Sequence, residues 1–436
     1  MKEFYTLAIG VCALSFSNAQ VSDLGSYVQV TDVSNNGIAV GNVFGSAIFM
    51  WSEANSGTLL GESGDSGVSG NANISADGSV ISMALPNAAN QNKEEALLYT
   101  VANESYKFLG YLGVSSGADT SSPWGMSANG KNIVGFAWNT SSKGEAVYWK
   151  EGNSIVGLGS TVATRSSRAN DVNADGTVIT GWQDAINGVR QGVIWRNGVQ
   201  EFLRDDQGII LGEAVAISGD GKTTCGSTIG SGTGYIWNET DGTTFITSDN
   251  PDYITNVTAI SDDGTMAKGF SFDPTQSILL GEGFIWTKAG GKVKLDDYVA
   301  GLNYNNLGIT FSVPTGISPD GKFIGGIGVN FGEGDAKGFL IKLPGANLGS
   351  QEVVKSDKIS VYPNPVKDIV TIQSSDKIEF AEVYSTSGQL VFSSKNIVDN
   401  KINLSVLTKG VYILKVKTNK GLQTKVNEEL NSTLRA

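Results

Sequence analysis

The 436-residue chain contains no histidine. This absence excludes Ser–His–Asp triads, imidazole proton shuttles and histidine-ligated zinc sites. Cysteine is almost absent as well, since only Cys12 and Cys225 occur, and Cys12 lies in a segment that we expect to be removed. A single remaining cysteine cannot form an intramolecular disulfide, so packing and hydrogen bonds must hold the fold together. We interpret Cys225 as a small strand residue rather than a reactive thiol.

Charge is also scarce, because only 17% of the residues are charged, against the usual ~25%. The 31 basic and 43 acidic residues leave a net charge of −12, which disfavours nucleic acid as a partner. Glycine, in contrast, occurs 56 times, nearly twice its usual share of ~7%. The composition therefore favours many short strands and turns, and the length predicts several units or one repeat array.

The N-terminal segment MKEFYTLAIGVCALSFSNAQ has the features of a secretory signal peptide. Lys2 precedes an apolar run at residues 7–16, and small residues follow at positions 17–19. The run is far shorter than the ~20 residues that a membrane-spanning helix needs. Val11 before Cys12 is too bulky for a typical lipoprotein signal. We therefore predict a signal peptide at residues 1–19, cleaved before Gln20.

A turn signature recurs seven times along most of the chain. The signature spans five positions: a hydrophobic residue, then Ser or Asn, then any residue, then Asn or Asp, and finally Gly. Its successive copies are 41 to 57 residues apart. Asn-Gly and Asp-Gly pairs are typical of β-hairpins, and we expect type I′ turns with positive φ at both central residues. The seven glycines are Gly37, Gly78, Gly130, Gly176, Gly221, Gly264 and Gly321.

Each turn joins two of four short strands, which we label a to d in chain order. The third strand often ends in tryptophan, which we expect to pack between adjacent units. Four strands in about 40–50 residues are typical of a propeller blade, so the chain is predicted to be all-β with a seven-bladed β-propeller at residues 20–345. These tryptophans are Trp51, Trp149, Trp195, Trp237 and Trp286.

The last repeat lacks a recognisable strand d. The sequence DLG at residues 23–25 matches the ends of other d strands, such as Leu60–Gly61 and Leu109–Gly110. We therefore predict that residues 21–30 complete the seventh blade and close the ring, which removes the open sheet edge. Residues 21–345 resemble the HAF family of extracellular repeats, and this resemblance implies an exported β-repeat protein without implying an activity.

The C-terminal sequence differs from the repeats. A polar linker at 346–357 precedes a segment at 358–436 whose alternating apolar residues predict a small Ig-like β-sandwich. The segments VYPNP, VYSTSGQLV and LTKGVYILKV resemble the C-terminal sorting domain of the type IX secretion system. That resemblance implies export to the medium or the cell surface, with the secretion machinery as partner. The corresponding motif residues are Tyr362, Pro363, Asn364, Pro365, Gly388, Gly410 and Tyr412.

A ligand site is expected where the b–c and d–a connections meet, because these vary in length whereas the a–b turns are uniform. Aromatic rings at this position can stack against the faces of sugars, and charged side chains can form hydrogen bonds with sugar hydroxyl groups. In the alternative interpretation, Trp138 and Trp182 cap the blade cores together with Phe136 and Phe270. The candidates are Trp124, Trp138, Trp182, Arg165, Arg168, Asp184, Arg190, Asp273 and Tyr304.

The sequence favours a monomeric, exported protein that binds an extracellular glycan or protein. The alternative is a secreted enzyme that cleaves glycosides with two acidic residues of the same face, although no pair stands out. The Asp-rich turns lack the D-x-D-x-D-G spacing of an EF-hand loop, so the sequence predicts no metal or cofactor.

Overall fold

The computed structural model describes residues 20–44, 47–63, 70–113, 120–228, 232–344, 360–362, 368–374, 377–385, 390–395, 397–408, 412–418 and 421–427. The predicted signal peptide and linker lie outside these ranges. The chain divides into two compact units, Met1–Gly349 and Ser350–Ala436. No helix in the described part of the chain is both long and apolar enough to cross a bilayer.

The first unit consists of seven four-stranded antiparallel sheets, the blades of a β-propeller. Strand β1 (Val21–Ser26) precedes the first blade in the chain. Blade 1 contains β2 (Val28–Val33), β3 (Ala39–Val43), β4 (Ala47–Trp51) and β5 (Thr58–Glu62). Blade 2 contains β6 (Asn73–Ile74), β7 (Val80–Asn87), β8 (Lys93–Thr100) and β9 (Ser105–Phe108). Blade 3 contains β10 (Ser121–Met126), β11 (Asn132–Trp138), β12 (Gly144–Lys150) and β13 (Ile155–Gly157).

The remaining blades repeat this order. Blade 4 contains β14 (Ser167–Val172), β15 (Val178–Asp184), β16 (Arg190–Arg196) and β17 (Val199–Phe202). Blade 5 contains β18 (Ala214–Ile217), β19 (Thr223–Ser227), β20 (Gly234–Asn238) and β21 (Gly242–Ile246). Blade 6 contains β22 (Ile254–Ile260), β23 (Met266–Phe272), β24 (Glu282–Thr287) and β25 (Gly291–Lys294). Blade 7 contains β26 (Ile309–Ile317), β27 (Phe323–Asn330) and β28 (Asp335–Lys342).

Short helical segments occur only between strands in the described residues. Helix α1 (Leu295–Gly301) joins blades 6 and 7, and its Leu295 and Val299 are buried. Three 3₁₀ turns cover Ala88–Asn90, Val101–Asn103 and Ile278–Leu280.

The fourth strand of blade 7 comes from the other end of the propeller sequence. Strand β1 pairs antiparallel with β28, with Val21 opposite Ile341 and Ser26 opposite Lys337. Residues from Val28 onward belong to β2, the innermost strand of blade 1. The segment that completes blade 7 is therefore shorter than the predicted 21–30 and ends at Ser26.

The a–b turns differ from the predicted type I′ geometry. In blade 4, Gly176 N–H donates to the carbonyl of Asn173 at 3.2 Å, and Val178 N–H donates to the Asn173 side chain at 2.9 Å. In all seven turns, which lie within the described residues, the glycine has positive φ while the Asn or Asp before it does not. The type I′ prediction is wrong because glycine closes the turn as its fourth residue and is not a central residue.

The same turns are joined to one another in a closed ring of hydrogen bonds, with donor–acceptor distances of 2.7–3.0 Å. This ring occupies one end of the propeller, and its blade-to-blade contacts use backbone groups of the turns together with the side-chain amides of Asn129 and Asn35. The donors and acceptors are Asn35 N to Ala76 O, Ala76 N to Ala128 O, Asn129 Nδ2 to Ala174 O, Ala174 N to Gly219 O, Gly219 N to Asp262 O, Asp262 N to Pro319 O, and Asp320 N to Asn35 Oδ1.

The repeat tryptophans pack between blades, as predicted. Trp149 is fully buried and lies in one apolar cluster with Ala96 and Leu109 of blade 2. Trp195 is also fully buried and lies with Val134 of blade 3. Burying an aromatic ring of this size stabilises the fold by roughly 3 kcal/mol. Cys225 is likewise buried in an apolar cluster and unpaired, and burial raises the pKa of its thiol to about 12.

Within its described residues, the second unit has seven strands in two antiparallel sheets. One sheet contains β29 (Ser360–Tyr362), β30 (Ile369–Gln373) and β33 (Lys401–Asn403). The other contains β31 (Ile378–Ser385), β32 (Leu390–Ser394), β34 (Tyr412–Thr418) and β35 (Gly421–Asn427), in the order β32-β31-β34-β35. Val370 and Ile402 of the first sheet share one apolar core with Val383 and Leu414 of the second. The Ig-like strand order stays a prediction.

Candidate functional site

The b–c and d–a connections lie at the end of the propeller opposite the ring of turns. In blade 4, Arg168 stands near the start of β14, Trp182 near the end of β15 and Arg190 at the start of β16. The strand register places Arg168 opposite Trp182 and Asp184 opposite Arg190. Antiparallel pairing therefore brings side chains that are distant in sequence to the same end of one blade.

Two tryptophans and two arginines stack alternately at this end. The guanidinium carbon of Arg168 lies 3.5 Å from the ring centroid of Trp124 and 5.4 Å from that of Trp182. Arg190 lies 4.3 Å from the Trp182 centroid. Trp124 reaches this position from blade 3, where the ladder between β10 and β11 is interrupted by a bulge. Cation–π contacts of this kind contribute about 0.5–2 kcal/mol each.

Glu213, just before β18 of blade 5, forms ion pairs with both arginines. Its carboxylate lies 2.6 Å from Arg168 Nη2 and 2.5 Å from Arg190 Nη1. Asn170 Nδ2 also donates to Glu213 at 3.0 Å, and Arg168 Nε donates to Asn170 Oδ1 at 2.7 Å. We call Trp124, Arg168, Trp182, Arg190 and Glu213 the rim cluster, and it joins blades 3, 4 and 5.

The members of the rim cluster differ in exposure. Trp182 is only 6% exposed, whereas Trp124 is half-buried and the Arg190 side chain is 46% exposed. Burial lowers the pKa of Arg168 to about 10, an effect that the attraction of Glu213 opposes. Arg168 therefore stays charged at neutral pH, and Arg190 and Trp124 are the groups that a ligand can reach.

The rim cluster adjoins a central cavity of about 190 Å³ between the seven inner strands. Asp32 of blade 1 and Asp171 of blade 4 line this cavity at corresponding bulges. Each carboxylate accepts an N–H from the next blade, from Ile74 at 2.8 Å and from Ile217 at 2.9 Å. Burial raises the pKa of Asp32 to about 7 and that of Asp171 to about 8. These carboxyl groups therefore link neighbouring blades through hydrogen bonds.

The structure brings together four of the residues predicted to bind a ligand, namely Trp124, Arg168, Trp182 and Arg190. Arg165 lies beside them, because its Nη2 donates to the carbonyl of Ile186 in the b–c connection. Asp184 stands at the start of that connection.

The other predicted residues lie elsewhere. Trp138 packs edge-on against Phe136, with centroids 5.3 Å apart. Tyr304 packs against the core cluster that includes Leu295 and Val299 of α1. Asp273 accepts hydrogen bonds from Thr275 within a tight turn. A ligand-binding role for any of these residues stays a prediction.

Sequence reasoning missed Glu213, although the repeats contained a signal for it. The segment from Glu213 to Ile217 aligns with the segment from Arg168 to Val172, each ending at the residue before an a–b turn. Neighbouring blades place equivalent positions side by side. Opposite charges at one repeat position therefore indicate an ion pair between blades.

Comparison with known proteins identifies the second unit. Residues 360–426 match the secretion system C-terminal sorting domain family. This segment is a type IX sorting domain. The protein is accordingly exported to the medium or the cell surface. In β29, Tyr362 is exposed, and Tyr412 Oη in β34 donates to the Thr408 carbonyl at 2.8 Å. The other sorting residues, Pro363, Asn364, Pro365, Gly388 and Gly410, lie outside the described residues.

One characterised relative shares a short segment with the chain. β-Agarase D of Zobellia galactanivorans is 41% identical over 61 residues, which are 14% of this chain and 12% of that protein. The chain thus matches only a small part of that relative.

Solved structures resemble the propeller at low identity. Oligogalacturonate lyase of Vibrio parahaemolyticus has 12% identity and a TM-score of 0.48, with 76% of this chain and 95% of that chain covered. A chain of the mitotic checkpoint complex has 14% identity and a TM-score of 0.45, with 79% and 98% covered. Both TM-scores are below 0.5, so the seven-bladed architecture rests on the strand pairings described above. The resemblance to HAF repeats stays a prediction.

Proposed function

We propose that this exported propeller binds an extracellular glycan at the rim cluster. The observation that carries the proposal is the contrast between the two ends of the propeller. At one end, seven similar turns are joined in a closed ring of hydrogen bonds, mostly between backbone groups. At the other end, unlike side chains from three blades meet beside the central cavity, and ligand sites are typically concave with a few convergent polar groups.

Contacts within the protein hold the side chains of the rim cluster in place. Glu213 holds both arginines, and Trp182 supports the guanidinium of Arg190. Binding to such a site costs little side-chain entropy. Trp124 presents part of an aromatic ring, and Arg190 presents hydrogen-bond donors, which together suit the apolar face and the hydroxyl groups of a sugar.

The test is binding of the purified mature protein to an array of extracellular polysaccharides, with release of reducing ends assayed on the same samples. Trp124→Phe should weaken binding about 3–10-fold, because the smaller ring loses contact area. Trp237→Phe is the matched control, since Trp237 is half-buried in blade 5 outside the rim cluster. Equal loss in both variants would contradict a site at the rim.

Two further outcomes would redirect the assignment. Turnover that disappears when Glu213 or Asp184 is replaced would favour the glycoside-cleaving alternative. Absence of glycan binding, together with capture of a defined extracellular protein that Trp124→Phe weakens, would replace the glycan with a protein ligand.

A further inference from the structure

The arginines of this chain are concentrated in one blade. The sequence contains six, and five of them lie between residues 165 and 204, which contain blade 4. The protein as a whole carries a net charge of −12. Three of the five, Arg165, Arg168 and Arg190, lie at the end of the propeller that carries the rim cluster.

These guanidinium groups are not fully used by the protein. Arg168 donates through Nε to Asn170 and through Nη2 to Glu213. Arg190 donates through Nη1 to Glu213, and within the described residues its remaining N–H groups meet no other acceptor. A guanidinium group carries five N–H donors in a fixed planar fork. Arg190 therefore directs unused donors to solvent.

Positive charge also exceeds negative charge here. Three guanidinium groups, those of Arg165, Arg168 and Arg190, lie at this end of blade 4 with the carboxylates of Glu213 and Asp184, and Glu213 already binds two of the three cations. The carboxyl groups of Asp32 and Asp171 line the adjoining cavity, and burial raises their pKa to about 7 and about 8, which reduces their negative charge at neutral pH. The local excess of positive charge lies within a strongly acidic protein. Since an acidic protein repels anionic polymers at long range, an anionic ligand requires such a local site.

Arginine rather than lysine at these positions indicates the chemistry of the ligand. A planar fork binds a carboxylate or a sulfate through two parallel hydrogen bonds, whereas an ammonium group acts as a point charge. Trp182, buried beneath Arg190, fixes the guanidinium group 4.3 Å from its ring.

We propose that the rim cluster recognises an anionic glycan, through carboxylate or sulfate groups that bind Arg190. This inference rests on the proposed glycan-binding function and specifies its ligand class. In the bound state that we propose, Glu213 remains the internal counter-ion that holds both guanidinium groups in place, and Trp124 contacts the adjoining sugar.

The experiment compares binding of the mature protein to four soluble polymers by calorimetry. Polygalacturonate carries carboxylates, carrageenan carries sulfates, laminarin is a neutral glycan, and poly-L-glutamate is an anionic polypeptide. Arg190→Gln should weaken binding of the anionic glycan at least tenfold, and Arg190→Lys should restore only part of it, because lysine keeps the charge without the fork.

Arg196→Gln provides the matched control. Arg196 stands at the opposite end of β16 and forms an ion pair with Glu239 at 3.2 Å, with its side chain 32% exposed. This variant should bind like the wild type. Thermal unfolding of both variants, followed by tryptophan fluorescence, checks that neither substitution unfolds the propeller.

Preferential binding of polygalacturonate or carrageenan over laminarin, lost in Arg190→Gln and kept in Arg196→Gln, supports the inference. Which of the two binds better distinguishes carboxylate from sulfate. Equal binding of laminarin, unaffected by Arg190→Gln, overturns the anionic class while the glycan-binding function stands. Binding of none of the three glycans overturns both, and preferential binding of poly-L-glutamate replaces the glycan with an acidic polypeptide.

Discussion

Arg168 and Glu213 occupy the same position of two consecutive repeats, 45 residues apart, and form a 2.6 Å ion pair across the boundary between blades 4 and 5. Both side chains are mostly buried, with 15% and 19% exposed. Because Glu213 also pairs with Arg190, one carboxylate stabilises two cations at the rim. The rim cluster thus connects the blades as well as forming the candidate site.

Glu213→Gln should destabilise the propeller. Removing the carboxylate leaves Arg168 buried without its counter-ion, and we expect a loss of about 2 kcal/mol in the free energy of unfolding. Urea unfolding followed by tryptophan fluorescence reports on the propeller, because all eight tryptophans lie between residues 51 and 286. Glu239→Gln, which removes a more exposed ion pair with Arg196, should cost less than about 0.5 kcal/mol. Equal losses would show that burial of the Glu213 pair is unimportant.

Lys268→Met should stabilise the protein, and more strongly at neutral than at alkaline pH. Lys268 is completely buried, its Nζ donates to Thr258 Oγ1 and Pro314 O at 3.0 Å, and burial lowers its pKa to about 7. Thr258 Oγ1 also donates to the Pro314 carbonyl, so that acceptor keeps a partner in the variant. We expect a gain of roughly 1–4 kcal/mol at pH 7, the usual range when buried charged groups are replaced by apolar residues of similar volume.

The pH dependence of this gain follows from the direction of the shift. Between pH 7 and the ordinary lysine pKa of 10.5, the unfolded chain binds more protons at Lys268 than the folded protein does. The Lys268 contribution to wild-type stability therefore rises with pH across this window, and the penalty is fully present below pH 7. The difference between Lys268→Met and wild type should accordingly shrink between pH 7 and 10. A constant difference would show that Lys268 binds its proton equally well in the folded and unfolded states, which means that burial does not lower its pKa.

Deletion of residues 21–26 should open the ring. The outer edge of β28 would lose its partner and expose unpaired backbone groups, which promotes association between chains. We expect a melting temperature lower by roughly 5 °C or more and formation of oligomers in light scattering. The reference is the chain that begins at Gln20. A deletion variant that stays monomeric and melts like the reference would show that β1 is dispensable.

Gly176→Ala should be more damaging than Gly188→Ala. Both glycines have positive φ, +77° and +82°, so both variants bear a similar backbone cost of about 1 kcal/mol. At Gly176 the added methyl group would also collide with Tyr148 Oη and Asn132 Oδ1, whereas nothing lies within 4 Å of it at Gly188. The difference in unfolding free energy measures how tightly the a–b turn is held. Equal losses of unfolding free energy in the two variants would indicate that Tyr148 and Asn132 move away from the added methyl group at little cost.

A fluorescent protein with residues 1–19 in front and 346–436 behind should leave cells that have a type IX system. In cells without that system it should stay in the periplasm, because the predicted signal peptide would direct passage across the inner membrane alone. Fractionation and fluorescence of the medium provide the measurement. A full chain truncated after Leu343 should remain inside the outer membrane. Secretion of the truncated chain at wild-type levels would remove the sorting role.

Much of the fold was predictable because it repeats. Seven turn signatures and the recurring tryptophan predicted the seven-bladed propeller, since each repeat must bury the same apolar face against its neighbour. The turn type was mispredicted, because Asn-Gly and Asp-Gly pairs also occur where glycine is the fourth residue of a turn. Gly176 illustrates this, with its N–H bonded to the Asn173 carbonyl.

The candidate site was predictable only in part. Residue type and position on a connection pointed to Trp124, Arg168, Trp182 and Arg190, but periodicity along one repeat does not show which side chains meet across blades. The sequence left two interpretations of Trp182 open, a ring that contacts a ligand and a ring that caps the blade core, and its 6% exposure beneath Arg190 favours the second. Such contacts depend on the spatial alignment of consecutive repeats.

The pairing of β1 with β28 has a consequence for biogenesis. Val21 and Ile341 are partners in one ladder, although about 320 residues separate them in the chain. A chain that crosses the inner membrane from its N-terminus delivers β1 first and β28 almost last among the propeller strands. Strand β1 therefore has no partner until the other blades and β28 have formed. Pairing over so long a sequence separation is intrinsically slow. Ring closure is therefore expected to be the slow step in folding of the propeller, and the edge of β28 stays exposed until β1 pairs with it.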